Sequence, residues 1–521
     1  MRGGAILGTA LGAILLAALP GGAAAAQAQT ASSPPADEAA VAALFDRVVD
    51  RPARLRVFLQ AMPKGGDLHN HLWGQPYAEQ FMAWGAQAGL CASRRALAIA
   101  PPPCHAPDSE PLKDLGQRDE ALWTAMIEAL STRGRAQGLG VNTVTGHDDF
   151  FGSFDRFGAV AMHEPGAMLA SARASAAAGQ VSYLELMQNP AAATRAARIA
   201  DDTPWNPDDF AGALRALAPA LPALVEQGVA ETDAMERDAA RRLGCRGDAS
   251  APGACAVTVR YQAFALRGLP PAQVFAQLAY AFALVERDPR YVGINFVAPE
   301  DGPVAIGDFD LHMCMFRFFA ARHRQVKLSL HAGELDLGLV PPSDLAHHIR
   351  DSIEIAGARR IGHGVAIAYE ADAPGLLARM ARDRIAVEIN LTSNDTILGV
   401  RGARHPLALY RAAGVPVVLS TDDEGVSRSD MTNEYLRAAT EQGLRYADLK
   451  QIARASLEYA FLPGASLWRD GRIGERAAPC GDAPAPPACA ALLAASDKAR
   501  AQWRLEQELS RFEQSILTQR F

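Results

Sequence analysis

Eight short runs rich in apolar and β-branched residues alternate along this chain with longer segments of helical periodicity. Such alternation predicts βα units, whose strands pair in parallel. Eight units predict an α/β fold, a (β/α)8 TIM barrel with helical insertions, and place functional side chains at the carboxyl ends of the strands. The predicted strands are 66–72, 181–187, 256–264, 291–298, 326–332, 359–365, 385–391 and 415–421.

The 521 residues exceed what a minimal barrel needs, and the excess falls into insertions and a tail. We expect a flexible segment and leading helix at 29–62 and the barrel at 63–430. Helical insertions are expected at 73–178 and 188–255, and a helical extension packed on the barrel at 431–521.

The first 28 residues are typical of an export signal. Arg2 precedes the apolar run AILGTALGAILLAAL, and the small residues of GGAAAAQAQ follow, which predicts cleavage after Ala28. The apolar run is too short for a membrane span. A retained N-terminal anchor is the alternative. The prediction is an exported protein, periplasmic or extracellular.

Cysteine usage agrees with export, because six of the seven cysteines fall into close pairs. Each pair brackets a Pro-, Gly- or Ala-rich loop, and closing such a loop stabilises by roughly 3 kcal/mol. The expected disulfides are Cys91–Cys104, Cys245–Cys255 and Cys480–Cys489. Cys314 is left over and, in an apolar helical pattern, is expected to be a buried core thiol.

Charge argues against a nucleic-acid partner. The chain has 58 acidic and 51 basic residues, a net charge of −7, and no dense basic stretch. A small-molecule partner is expected instead. A homodimer is compatible with the helical insertion but is not specified by composition.

Histidines and carboxylates follow four of the predicted strands. Two histidines at i and i+2 in GDLHNHL point to the same face of a strand. Because the carboxyl ends of barrel strands meet at one face, these side chains are expected to cluster. They are His69 and His71, then His331 and Glu334 in HAGE, His363 in RIGHG, and Asp422 and Asp423 in STDDEG.

A metal ion suits this set. Neutral imidazoles with one carboxylate are ligands that zinc prefers. Two adjacent carboxylates beside several histidines would repel each other unless a cation lay among them. By contrast, His347 and His348 share a helical stretch with charged residues and are expected on the solvated surface.

The ordered motifs H-x-H, HAGE, RIGHG, N-L-T-S-N and S-T-D-D resemble the adenosine deaminase family of the amidohydrolase superfamily. The resemblance covers residues 63–430. The leader, the long first insertion and the cysteine pairs resemble the secreted, growth-factor-related adenosine deaminases more than compact cytosolic ones.

This resemblance implies one zinc ion per chain and deamination of adenosine or 2′-deoxyadenosine to inosine or 2′-deoxyinosine plus ammonia. His69, His71, His331 and Asp422 would hold zinc. Glu334 would give a proton to ring N1, His363 would orient the attacking hydroxide, and Asp423 would hold N7 of the base.

Two positions depart from the family pattern on the sugar and N3 side. Trp73 stands where the family often has an acid that reaches the sugar. Ala298, Pro299 and Glu300 stand where a Gly-Asp-Glu-like turn is usual. Both departures leave the exact purine substrate open.

Alternative functions therefore remain. The substrate could be adenine or an N6-modified adenine derivative, or the chain could be a non-catalytic secreted purine-binding protein. A binuclear amidohydrolase would need a bridging Lys or Glu at the fourth strand; GINFVA has none, although Glu300 follows it. The small zinc deaminase fold is excluded because its P-C-x-x-C motif does not occur.

Overall fold

A computed structural model describes residues 36–135, 144–245, 253–481 and 487–519. The expected signal peptide at 1–28 lies outside these residues. Eight parallel strands form the centre, and each overlaps its predicted run. They are β1 (Gly65–His71), β2 (Val181–Met187), β3 (Thr258–Leu266), β4 (Tyr291–Val297), β5 (Ser329–Ala332), β6 (Arg360–His363), β7 (Ala386–Ile389) and β8 (Val417–Leu419).

The strands close into a barrel. Two four-stranded parallel sheets, β1–β2–β3–β4 and β5–β6–β7–β8, are joined at both edges. The bridge between Ile294 and Leu328 connects β4 to β5, and the bridge between Asn70 and Asp422 connects β1 to the segment after β8. The predicted TIM barrel is confirmed.

The barrel strands are buried on both faces, which explains why their sequences are nearly continuous apolar runs. All seven residues of β2 and all four of β7 are buried. In register, Ile361 pairs with Leu330 on one side and with Val387 on the other, so branched side chains fill neighbouring positions. The polar residues that interrupt these runs therefore need partners inside the barrel.

Helices surround the barrel and fill the connections between its strands. Those after β1 and β2 belong to the two long insertions and are Ala78–Gln87, Leu115–Arg118, Glu120–Ala129, Gly146–Gly152, Phe154–Ala161, Pro165–Ala178, Ala191–Ile199, Phe210–Leu217 and Leu221–Leu243. Those after β3 to β7 are Pro271–Arg287, Pro303–Gly307, Phe309–Ala320, Pro342–Leu345, His348–Asp351, Ala373–Asp383, Leu391–Leu398 and Leu407–Ala412.

The chain ends of the described region pack together. Helices Ala36–Val48 and Pro52–Ala61 precede β1, and Met431–Glu441, Tyr446–Tyr459, Pro487–Ala495 and Asp497–Ile516 follow β8. Phe45, Phe58, Tyr446 and Phe512 form one aromatic cluster between them, with ring centroids 5.3 to 6.5 Å apart. Among the described residues, no helix is long and apolar enough to cross a membrane.

All three expected cysteine pairs are joined. Cys91–Cys104 staples a small antiparallel sheet in the first insertion, formed by strands 91–93, 98–100 and 109–111. Cys245–Cys255 closes the tip of the second insertion, and Cys480–Cys489 ties the C-terminal region. Cys314 is only partly buried, and Arg317 donates to its sulfur at 3.5 Å, so the prediction of a core thiol was wrong.

Candidate active site

Four of the predicted side chains converge at the carboxyl end of the barrel. His71 Nε2 lies 3.1 Å from His331 Nε2. Asp422 Oδ1 lies 3.3 Å from His71 Nε2 and 3.4 Å from His69 Nε2. Backbone hydrogen bonds hold Asp422 beside β1, since its N–H donates to His69 O at 2.9 Å and its carbonyl accepts from His71 N–H at 3.1 Å.

Hydrogen bonds on the Nδ1 side fix the ring orientation of two histidines. His69 Nδ1 lies 2.7 Å from Glu388 Oε2, and His331 Nδ1 lies 2.8 Å from Asn295 Oδ1. Both acceptors require a proton on Nδ1, which makes Nε2 the nitrogen that faces the centre and is available to a cation. Metal-binding histidines are usually oriented in this way, by a hydrogen bond from the ring nitrogen that does not bind the metal.

The donor set fits a cation. Burial lowers the pKa of His71 and of His331, so each ring can offer a neutral nitrogen to a cation, and their Nε2 atoms lie 3.1 Å apart. Burial also opposes charge on His69, but the adjacent carboxylates of Asp422 and Glu388 outweigh it and raise the pKa of His69 to about 10. The cluster therefore demands a positive charge at its centre, which a zinc ion would supply.

His363 lies beside the cluster on β6. Its ring centroid is 4.9 Å from that of His69, and Asn394 Nδ2 donates to its Nδ1 at 2.9 Å. Its Nε2 therefore carries the proton, is buried, and has no hydrogen-bond partner among the described residues. Burial lowers the pKa of His363 to about 3, so the ring is a neutral donor.

Burial favours the protonated form of the two remaining carboxyl groups. Burial, followed by the charge of Asp422, raises the pKa of Glu334 and of Asp423 well above the usual range. Glu334 Oε1 lies 3.5 Å from His363 Nδ1. Asp423 Oδ1 is buried without a partner in the described chain. Neutral carboxyl groups beside a nucleophile can act as proton donors.

The turn that carries Glu334 is held by Glu300. Its carboxylate accepts from Gly333 N–H at 3.0 Å and Glu334 N–H at 2.8 Å, and it binds His348 Nδ1 at 2.6 Å. The prediction that His348 is a surface residue was wrong, because it is buried to support this turn. Glu300 faces backbone N–H groups rather than the histidine cluster, which disfavours a binuclear site.

Two glycines make room for the histidines. A Cβ on Gly362 would lie 2.6 Å from His69 Cε1, so the glycine before His363 in RIGHG is required for packing against His69. Gly333 adopts φ +71°, the left-handed conformation that turns the chain after β5. His363 and Asp422 also have positive φ, of 65° and 60°, as strained residues at functional sites often do.

A cavity of about 1020 Å³ opens above the cluster. His71, His331, Glu334, His363, Asp422 and Asp423 all line it. Trp73 and Ala298, the two departures from the family pattern, line it too. The volume and the mixture of apolar walls with convergent polar groups are typical of a small-molecule site.

Glu388 and Asn295, which orient the ligands, were missed by sequence reasoning. Each is a single polar residue inside an apolar strand, Asn295 in GINFVA and Glu388 in IAVEINL. A polar side chain in a strand buried on both faces requires a partner. A lone polar residue in an apolar strand therefore indicates that both side chains have buried partners, although the sequence does not identify those partners.

Comparison with known proteins agrees with the motif order. The family model described as adenosine deaminase matches residues 139–467, well over half of the chain. Adenosine deaminases from Shewanella loihica and Serratia proteamaculans are each 35% identical, over 28% and 32% of this chain. These stretches cover 41% and 49% of the relatives, so the chain matches less than half the length of either.

A crystal structure of ADAL from Arabidopsis complexed with IMP matches the fold. The TM-score is 0.51 at 17% identity, covering 87% of this chain and 99% of that chain. The family match begins after β1, so His69 and His71 lie outside it. Their place beside His331 and Asp422 comes from the structure alone.

Proposed function

The chain belongs to the adenosine deaminase family, and we propose that it is a zinc-dependent hydrolase that converts adenosine or 2′-deoxyadenosine to the 6-oxo purine nucleoside and ammonia. One observation carries this proposal: at the floor of a large cavity, His71 Nε2 lies 3.1 Å from His331 Nε2, and Asp422 Oδ1 lies 3.3 Å from His71 Nε2 and 3.4 Å from His69 Nε2. His69, His71, His331 and Asp422 would hold one zinc ion. Zinc bound there supplies a water whose pKa is near 7.

The remaining residues would position the purine and move protons. Glu334, neutral through burial, would donate its proton to ring N1 and make C6 more electrophilic. His363 presents Nε2–H as a donor that would orient the attacking water. Asp423 would bind N7 through its unpartnered carboxyl group. The oxygen of the water would bond to C6, and the C6–N bond would break. One proton of the water would leave with the amino group as ammonia and the other would return to Glu334, so that the product is a 6-oxo purine protonated at N1.

The second candidate substrate is adenine or an N6-modified adenine derivative. Trp73 and Ala298 support this alternative, because both line the cavity and neither offers a carboxylate to a sugar. A substrate without ribose would lose nothing at these positions, whereas adenosine would have to find its sugar contacts elsewhere.

The test is turnover by the mature, zinc-loaded protein. Adenosine, 2′-deoxyadenosine, adenine and N6-methyladenosine are followed by ultraviolet absorbance, each with and without a chelator. Chelator-sensitive conversion of adenosine to inosine is expected. Conversion of adenine alone would favour the second candidate, and silence on all four with one zinc bound would contradict both.

Glu334→Gln tests the proton-donor role. The amide keeps the shape but cannot deliver the proton, so turnover is expected to fall about 10²- to 10⁴-fold with zinc content unchanged. Glu354→Gln, an exposed ion-pair residue on the barrel exterior, is the matched control and should retain full activity. A fully active Glu334→Gln enzyme would refute the role.

We also propose export to the periplasm or the medium. The apolar leader precedes a protein with three disulfides, which persist in oxidising compartments. N-terminal sequencing of the protein recovered from a native host should begin after Ala28. Recovery of the full leader on a cytosolic protein would contradict export.

A further inference from the structure

A second cavity, of about 640 Å³, lies at the opposite end of the barrel from the histidine cluster. It is bounded by residues 326–328, which precede β5, by the start of β6, and by residues 383–384, which precede β7. Residues 458–461, at the end of helix Tyr446–Tyr459, form another wall. None of the residues assigned to deamination belongs to it.

Positive charge dominates this basic cavity. Two acidic residues, Asp383 and Glu458, face six cationic ones, which are Arg324, Lys327, Arg359, Arg360, Arg384 and Lys498. The excess stands out in a chain whose net charge is −7. A concave site with one sign of charge concentrates counter-ions.

The carboxylates nearby are already paired. Arg360 binds Glu185 and Glu388, at 2.6 and 2.5 Å, and Arg384 lies 3.2 Å from Glu458. Asp383 pairs with Arg382 at 3.0 Å, outside the cavity. In the described part of the chain, four cations are left without an ion-pair partner: Arg324, Lys327, Arg359 and Lys498.

The two lysines are half-buried and held in place. Lys498 Nζ donates to Glu458 O at 2.6 Å, and Lys327 Nζ donates to Phe461 O at 3.2 Å. These bonds satisfy carbonyls at and just after the end of a helix, where cations are favoured. Each ammonium has three N–H donors, and one of them binds a carbonyl oxygen, so two N–H groups remain on each lysine.

Burial, together with the neighbouring Lys327 and Arg360, lowers the pKa of Lys498 to about 8. Lys498 therefore still carries its charge at neutral pH, next to a second ammonium. The carboxylate of Glu458 favours that charge but is itself paired with Arg384. Charged groups held this way are stabilised by a bound anion of matching geometry.

We propose that this basic cavity binds a phosphate-class anion, with Lys327 and Lys498 donating from its floor and Arg324 and Arg359 closing over the anion from the rim. Arginine and lysine together suit a tetrahedral oxyanion, since the guanidinium fork binds two oxygens and the ammonium acts as a point charge. The ligand is either inorganic phosphate or a phosphomonoester.

The test measures thermal unfolding and calorimetric binding of the zinc-loaded protein with inorganic phosphate, sulfate and glycerol 3-phosphate, against sodium chloride at matched ionic strength. A saturable rise in Tm with phosphate or sulfate, beyond that in chloride, is expected. Tighter binding of glycerol 3-phosphate than of phosphate would identify a phosphomonoester site; the reverse would identify a phosphate site.

Arg324→Gln/Arg359→Gln separates anion binding from helix capping, because both residues are exposed and touch no helix carbonyl. This pair should weaken phosphate binding about tenfold while adenosine turnover is unchanged. Arg95→Gln/Arg401→Gln, also exposed, makes the same charge change elsewhere and should bind phosphate normally.

Lys327→Met/Lys498→Met should abolish the phosphate-dependent rise in Tm, whatever its effect on Tm without phosphate. Equal stabilisation by chloride, or an unchanged phosphate response in the arginine pair, would overturn the proposal. Because deamination is measured separately, either result leaves the proposed function untouched.

Discussion

At the carboxyl end of the barrel, His69 Nε2, His363 Nε2 and Asp423 Oδ1 are buried without a hydrogen-bond partner among the described residues. Deeper in the same barrel, Arg360 binds Glu185 at 2.6 Å and Glu388 at 2.5 Å, and donates to Tyr459 O at 2.9 Å. Both regions bury polar side chains almost completely, yet of these two groups only the deeper one is satisfied by partners within the described residues.

This contrast indicates where the functional site lies. Buried polar groups are normally satisfied, so unsatisfied ones mark a site that a ligand completes. The deeper network serves as scaffold, and Glu388 joins the two regions. Its Oε1 accepts from Arg360 and Ser329, while Oε2 orients His69. Changes at the carboxyl end should therefore affect zinc and turnover, whereas changes deeper should affect stability.

The largest effect on turnover is expected from His331→Ala. Removing one imidazole from the ligand set should release zinc and reduce turnover by at least about 10³-fold. Because this end of the barrel is incomplete without its ligand, the metal-free variant should lose less than about 2 kcal/mol of unfolding free energy.

Zinc content, kcat and urea unfolding of the metal-free protein measure these effects. The control is His323→Ala, which removes a partly buried histidine that lies outside the cavity and is paired with Glu286 at 2.9 Å. A His331→Ala protein that keeps its zinc would remove this residue from the ligand set.

Arg360→Met is expected to affect stability more than turnover, the reverse of His331→Ala. The substitution leaves Glu185 and Glu388 as buried charges without their cation, which should cost about 3–5 kcal/mol of unfolding free energy. Urea unfolding measures it, with the exposed Arg382→Met as the control. A loss below about 1 kcal/mol would show that the deeper region is no better satisfied than the carboxyl end.

Gly362→Ala tests the boundary between the two regions. Its Cβ would lie 2.6 Å from His69 Cε1, so the ring must move away from Glu388 and Asp422. We expect a cost of about 1–3 kcal/mol in stability and weaker zinc binding. Gly268→Ala, where no atom lies within 4 Å of the added methyl, is the control for both chelator competition and unfolding. Zinc affinity equal to that of the control would show that His69 tolerates displacement.

Sequence reasoning located the carboxyl end better than the deeper network. His69, His71 and His331 were accessible because strand periodicity and the order of barrel strands place them on one face. The partners of Glu388 and Arg360 were not, because they come from strands far apart in sequence and only the closed barrel brings them together. His348 was wrongly predicted to lie on the surface because its neighbours in sequence are charged. Its partner Glu300 lies 48 residues away and could not be identified from the sequence.

The smallest effect is expected at Ala298, the departure at the end of β4. Ala298 adopts φ 90°, a conformation that residues with a Cβ rarely adopt, and it lines the cavity without binding to the metal cluster. Ala298→Gly should relieve this strain and raise unfolding free energy by up to about 1 kcal/mol, with zinc content unchanged. If the methyl group also shapes the sugar side of the cavity, the ratio of kcat/KM for adenosine to that for adenine should rise in the variant. An unchanged ratio with higher stability would show that the backbone strain at Ala298 does not help the enzyme to discriminate between adenosine and adenine. A less stable variant would show instead that packing of the Ala298 methyl group contributes more stability than the strained backbone conformation costs.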